Sequence, residues 1–111
     1  MSDDSAYQGP REKLLQLGAD ALSDAELLAV WLVTGHRGQT VMQLASALLL
    51  RFGSLRQLLL ADAETVQAVP GMGATRYAQL LAARSLVERF LRESMVRDVS
   101  LSSPDMTRQY L

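Results

Sequence analysis

Val66-Gln67-Ala68-Val69-Pro70-Gly71-Met72-Gly73-Ala74-Thr75-Arg76 is the stretch on which the architecture of this chain turns. Ala63, Val66 and Val69 give a short apolar-spaced segment that runs into Pro70, and a Pro beside a Gly stops regular structure. Gly71 and Gly73 then bracket the single apolar Met72, and a long helical pattern begins directly after them. Glycine tolerates positive φ and lets another molecule come close to the backbone. The two glycines stand where a helix N-terminus leaves its first N–H groups without intrahelical acceptors. Such an end carries partial positive charge and suits a phosphate. With Thr75 and Arg76 in the first turn, the spacing suggests a helix-hairpin-helix, a module that grips nucleic-acid backbone without reading bases. A plain αα-turn, whose glycines only let two helices pack closely, fits the same residues.

The bulk composition narrows the class. A chain of 111 residues suits one small core. Half of it is apolar but only 5% aromatic, a Leu- and Ala-rich balance that favours helices over a β-sandwich. With no cysteine there is no disulfide framework and no Cys-based zinc site, and the lone His36 cannot build a metal site by itself. No apolar run approaches the ~20 residues of a membrane span, and the acidic opening is unlike a secretory signal. The expected location is cytoplasmic.

Net charge is −1, which excludes a strongly basic nucleic-acid binder, but the distribution is uneven. Residues 1–64 carry five Arg/Lys and eight Asp/Glu, hence −3; residues 65–97 carry five Arg and two Glu, hence +3. The positive surplus lies in the segment holding the glycine hairpin, where a local field attracts phosphate even on a near-neutral chain.

Working outward, residues 1–9 are expected to form a flexible leader. Pro10 suits a first helical turn; Leu14, Leu15 and Leu17 give that helix an apolar face before Gly18 stops it. Ser23 with Glu26 is a capping box opening a helix to about Val33. Leu27, Leu28, Val30, Trp31, Leu32 and Val33 make this helix apolar nearly all round, so it is expected at the centre with Trp31 in the core. Thr34-Gly35-His36-Arg37-Gly38 breaks it. Thr40 with Gln43 is a second box, and Val41, Leu44, Ala45 and Leu48 mark the inner stripe of the helix that Gly53 ends. Ser54 with Gln57 is a third box, starting a short helix with Leu55, Leu58 and Leu59. Asp62 caps the segment leading to the hairpin. The last helix is expected from about Ala74 to Arg92, with Leu80, Ala83, Val87, Phe90 and Leu91 on one stripe and Ser85, Arg89 and Arg92 opposite. Ser94 to Ser102 reads as linker or a single extended segment. Ser103-Pro104-Asp105 is a helix start cut off after two turns, as in a fragment of a longer protein.

The order contains an internal echo. A helix, the Thr34–Gln39 hairpin, a helix, a connector over 55–61, another helix, the Pro70–Gly73 hairpin and a final helix make a tandem pair of helix-hairpin-helix units. The fold class is thus all-α, a small bundle of about six helices, with a leader over 1–9, the tandem domain over 10–92, and linker plus the start of a truncated C-terminal domain over 93–111. Candidate phosphate-binding residues are Gly71, Met72, Gly73, Thr75 and Arg76 in the second hairpin and Gly35, Arg37 and Gly38 in the first, with His36 between them in the same loop. Each has a plainer role: turn former, cap or solvated cation. Arg84, Arg89 and Arg92 either extend the basic surface or solvate a helix face. The chain offers no catalytic set and no metal site.

Gly9-Pro10-Arg11-Glu12-Lys13-Leu14-Leu15, Leu22-Ser23-Asp24-Ala25-Glu26-Leu27-Leu28-Ala29, Thr34-Gly35 to Gly38, Arg51-Phe52-Gly53-Ser54-Leu55 and Val69 to Gly73 together resemble the N-terminal region of bacterial RadC-like proteins. The resemblance covers about residues 9–92, and departs mildly at Met72, where Ile or Val is usual, and at Arg76, where Lys is common. It implies a non-sequence-specific DNA-binding module, contacting double-stranded or branched DNA backbone, in a family traditionally labelled DNA repair. It further implies a following JAMM/MPN domain, a zinc metalloprotease-like hydrolase with a His-x-His…Asp motif that this chain lacks, and Ser103 to Leu111 resembles its opening. Zinc would belong to that domain, and a monovalent cation at the second hairpin is a further implication. The competing expectation is a protein-interaction or regulatory module that docks on the adjoining domain or another partner.

Overall fold

The structure, a computed structural model, describes residues 9–101. Six α-helices and one 3-10 turn make up its regular structure: α1 (Pro10–Leu17), the turn Ala19–Ala21, α2 (Asp24–Leu32), α3 (Val41–Phe52), α4 (Leu55–Leu60), α5 (Ala63–Gln67) and α6 (Ala74–Leu101). The all-α expectation holds among the described residues. All of the leader expected over residues 1–9 except Gly9, and the helix start at Ser103-Pro104-Asp105, lie outside them.

Local chemistry sets most boundaries. Pro10 occupies the first turn of α1, and Gly18, at φ 89°, closes it with an N–H bond to the Leu14 carbonyl. Ser23 Oγ accepts from the Glu26 amide at 3.2 Å while Glu26 Oε1 accepts from the Ser23 amide at 2.9 Å, a complete capping box. Thr40 and Gln43 repeat it at 3.1 and 2.9 Å. At α4 only half of the expected box forms: Ser54 Oγ accepts from the Gln57 amide at 3.1 Å, with no return bond from the Gln57 side chain. Asp62 Oδ1 caps α5 through the Thr65 amide at 2.8 Å. Gly53, left-handed at φ 93°, ends α3.

The chain divides into two compact units, one running to Tyr77 and the other beginning at Ala78. In the first, α3 packs against both α2 and α4. Its core is Leu22, Leu28, Ala29, Leu32, Leu44, Ala45, Leu48, Leu58, Val66 and Met72. The expectation for Trp31 is corrected. α2 buries the face bearing Leu28, Ala29 and Leu32, whereas Trp31 is 43% and Val33 69% exposed. A sequence apolar all round does not say which stripe meets a neighbour.

The second unit is the continuation of α6. Here too the structure departs from expectation, because the helix passes Arg92 and continues to Leu101, across the segment expected to be linker. The apolar pattern lapses there, but Ser94 to Asp98 contains neither Gly nor Pro. An established helix propagates at little cost until a breaker stops it, and the next is Pro104, which disfavours helix in the residue before it.

Glu26 links two elements. Its carboxylate accepts from the Ser23 amide and from Lys13 Nζ of α1 at 3.1 Å, with both side chains largely shielded. The backbone bond first, and the ammonium second, hold Glu26 below its ordinary 4.5. A depressed carboxyl stabilises the fold above the unfolded value and loses that contribution as pH falls through the folded one. Glu26→Gln, which keeps the cap acceptor but not the charge, is expected to cost about 1 kcal/mol at neutral pH. In thermal melts, the gap between wild type and variant should narrow as the pH is lowered below the ordinary carboxylate range.

Candidate functional site

Both glycine loops belong to the first unit, and they lie against each other. The second opens with Val69-Pro70-Gly71-Met72, closed by the Met72 amide donating to the Val69 carbonyl at 2.9 Å. Gly71 takes φ 94°, as the third position of a type II turn demands, and Pro70 ahead of it supplies the fixed φ of the second. Met72 is 1% exposed, so its side chain anchors the turn in the core. Both its side chain and its N–H are therefore committed within the protein. Gly73 begins α6: its carbonyl accepts from the Tyr77 amide at 3.0 Å. The amides of Gly73, Ala74, Thr75 and Arg76 point ahead of that first bond, with no acceptor among the described residues. Gly73, Ala74 and Thr75 are exposed.

The first loop follows α2 by an unusual route. Val33 has φ 69° and ψ −54°, and the Thr34 amide donates to the Leu32 carbonyl at 2.8 Å. This is a γ-turn of the rare, strained hand, imposed on a β-branched residue for which positive φ is an outlier. His36 and Gln39 then exchange two backbone bonds, at 3.0 and 2.8 Å, around Arg37 and Gly38. Gly38 takes φ 66°, and both turn residues are exposed. Gly35 serves a packing need: a Cβ there would collide with the Gln39 carbonyl oxygen.

Two contacts join the loops. A Cβ on Gly71 would stand 3.0 Å from His36 Cβ and 3.3 Å from Leu44 Cδ1, so the second turn fits under the first only because it has none. Arg76 Nη2 reaches back to Thr34 Oγ1 at 2.8 Å and to the Gly35 carbonyl at 3.0 Å. Its Nη1 is buried and finds no hydrogen-bond acceptor among the described residues. A shallow groove lined by His36 and by Gln67 to Gly73 runs along the junction.

The structure thus brings together most of the residues singled out from sequence. Gly71, Gly73, Thr75 and Arg76 lie at the mouth of α6, with Gly35, Arg37 and Gly38 in the loop beside them. One residue was missed, Thr34, which holds the Arg76 guanidinium, and His36 of the same loop has a packing role on Gly71; neither pairing carries a local signal, since the partners lie far apart in the chain. Among the described residues no three His, Cys, Asp or Glu side chains gather to hold a metal, and no helix is long and apolar enough to cross a membrane.

Fold and site define a small all-α module whose two glycine loops are locked side by side at the start of a long helix. The chain belongs to the UPF0758 family: residues 1–78 match the family model described as UPF0758 N-terminal. A UPF0758 protein of Halorhodospira halophila is 54% identical over 102 residues, covering 92% of this chain and 46% of the relative. That of Thioalkalivibrio sulfidiphilus is 50% identical over 111 residues, covering 100% and 50%. A Pseudomonas putida relative is 49% identical over 111 residues, covering 100% and 49%. The chain spans about half the length of these curated relatives. No solved structure matches it.

The glycines rank by these contacts. Of Gly71, Gly38 and Gly73, Gly71→Ala combines the left-handed φ, about 1–2 kcal/mol, with the close approach of His36, and is expected to destabilise most of the three. Gly38→Ala meets open space and should cost the conformational part alone. Gly73→Ala has neither and should be near neutral. Chemical denaturation of the three variants checks the order.

Proposed function

We propose that this chain is the N-terminal, non-sequence-specific DNA-binding module of a longer RadC-like protein, built as a tandem helix-hairpin-helix. The observation that supports it best is the row of amides from Gly73 to Arg76, opening beside a second glycine loop held in place by Arg76. Amides at a helix N-terminus suit phosphate oxygens, and contacts of that kind fix position without carrying sequence information. Thr75 would add its hydroxyl, and Arg37 an exposed charge from the first loop. Arg76 acts mainly by positioning, since one arm of its guanidinium is engaged by Thr34 and Gly35. A near-neutral chain making so few phosphate contacts should bind weakly, on the order of 10⁻⁴ to 10⁻⁵ M at physiological salt.

The DNA-repair label and the zinc hydrolase chemistry that the resemblance implies are part of this proposal for the longer protein. Zinc would be held by residues outside this chain, and none of the residues described here would take part in its reaction. The acidic first half, −3 over residues 1–64, favours a second possibility, a regulatory module docking on that adjoining domain.

The test is a titration of the chain against fluorescent duplex and branched DNA at two salt concentrations, with two variants that spare the fold. Thr75→Glu places a carboxylate in the first turn of α6, where it favours the helix by about 0.3–1 kcal/mol but repels phosphate. Ala74→Pro removes one open amide at a position where proline is tolerated. Saturable binding that weakens with salt, is lost in Thr75→Glu and falls in Ala74→Pro, with melting temperatures held, is the expected result. Absence of binding at low salt, or a Thr75→Glu protein that binds as wild type does, sinks the DNA proposal and leaves the docking module.

A further inference from the structure

The two hairpins do not open alike. In the second, the amides of Gly73, Ala74, Thr75 and Arg76 have no acceptor among the described residues, and the first three of these residues are exposed. The start of α3, behind the first loop, is closed by its own chain. The Thr40 amide donates to Gln43 Oε1 at 2.9 Å, and the Gln43 amide to Thr40 Oγ1 at 3.1 Å. A Cβ on Gly35 would stand 2.7 Å from the Thr40 carbonyl carbon and 2.9 Å from the Val41 nitrogen, so the loop backbone packs directly on that peptide. Of the four amides at this helix end, that leaves Met42's, on a half-buried residue. Within the loop, the His36 and Gln39 amides are spent on each other's carbonyls at 3.0 and 2.8 Å. Arg37 and Gly38 are exposed at the tip, but their amides lie outside the first helical turn, where the dipole acts.

Resting on the DNA-binding function above, we propose that the module holds one strand at a time: the second hairpin is the phosphate clamp and the first is its brace. The brace acts through Thr34 Oγ1 and the Gly35 carbonyl, which accept from Arg76 at the start of α6. A tandem pair with two open helix ends would engage two strands set at duplex spacing. One open end needs only a run of phosphodiesters, which it grips without regard to base. Single-stranded DNA is therefore a full ligand, and base pairing adds no contact to the clamp.

Matched substitutions separate the hairpins. Thr75→Glu puts a carboxylate in the first turn of α6. Gln43→Glu puts one in the first turn of α3, at an exposed position where glutamate preserves the capping box. Both variants and wild type are titrated against a fluorescent single strand and against the duplex made from it. The salt is held at about 0.15 M, where exposed charges more than about 8 Å apart are largely screened. Wild type is expected to bind the two DNAs with dissociation constants within about threefold of each other. Thr75→Glu should weaken binding to both by more than about tenfold, and Gln43→Glu by less than about threefold. A Gln43→Glu protein weakened as much as Thr75→Glu, or a duplex preferred by more than about tenfold, overturns the one-strand proposal and leaves DNA binding standing. Thr75→Glu without effect, or no binding to either DNA, removes the DNA-binding function and this proposal with it.

Discussion

Two loops have to share the space above one core, and that constraint governs the first unit. The second turn lies under His36 only because Gly71 carries no Cβ, and the first loop keeps its shape because the Gly35 backbone can approach that of Gln39 and Thr40. Arg76 then ties the start of α6 to the end of α2 through Thr34 and Gly35. Met72, buried between two glycines, keeps the second turn on the core. The helix caps are local and do not depend on these contacts, which together hold the two loops against each other.

That lock has a consequence for charge. With one arm of Arg76 spent inside the protein, what remains open at the mouth of α6 is mainly backbone amide. A site of this composition needs no basic patch, which accords with a net charge of −1 and with the weak, backbone-directed binding proposed for the module.

The backbone strain at Val33 belongs to the same economy of position. A residue in a sparsely populated region of φ and ψ costs about 1–3 kcal/mol and persists only where its surroundings over-determine it. Here the γ-turn directs the chain sharply out of α2, so that Thr34 and Gly35 present a hydroxyl and a carbonyl to Arg76. The Thr40 capping box restarts helical structure five residues beyond Gly35 and fixes the other end of the loop.

Helix starts and stops were legible in the residues because they depend on partners within about four positions. Ser23 with Glu26, Thr40 with Gln43, Asp62 ahead of Thr65, and Gly18 and Gly53 as stops all act within a turn of themselves. The Pro70–Gly73 turn was readable for the same reason, since Pro and Gly dictate φ without help from elsewhere. The rest involves partners far apart in the chain or a choice among equal faces. Nothing near Arg76 announces Thr34, and nothing near Gly71 announces His36. Trp31 sits in a helix apolar on every side, so its exposure followed from which stripe α3 covered. The extent of α6 was misjudged because a lapse in apolar pattern is not a stop signal; helical hydrogen bonding continues until a residue prevents it. Helices and turns thus follow from short-range bonds that the residues announce, while the joining of the two loops required the fold.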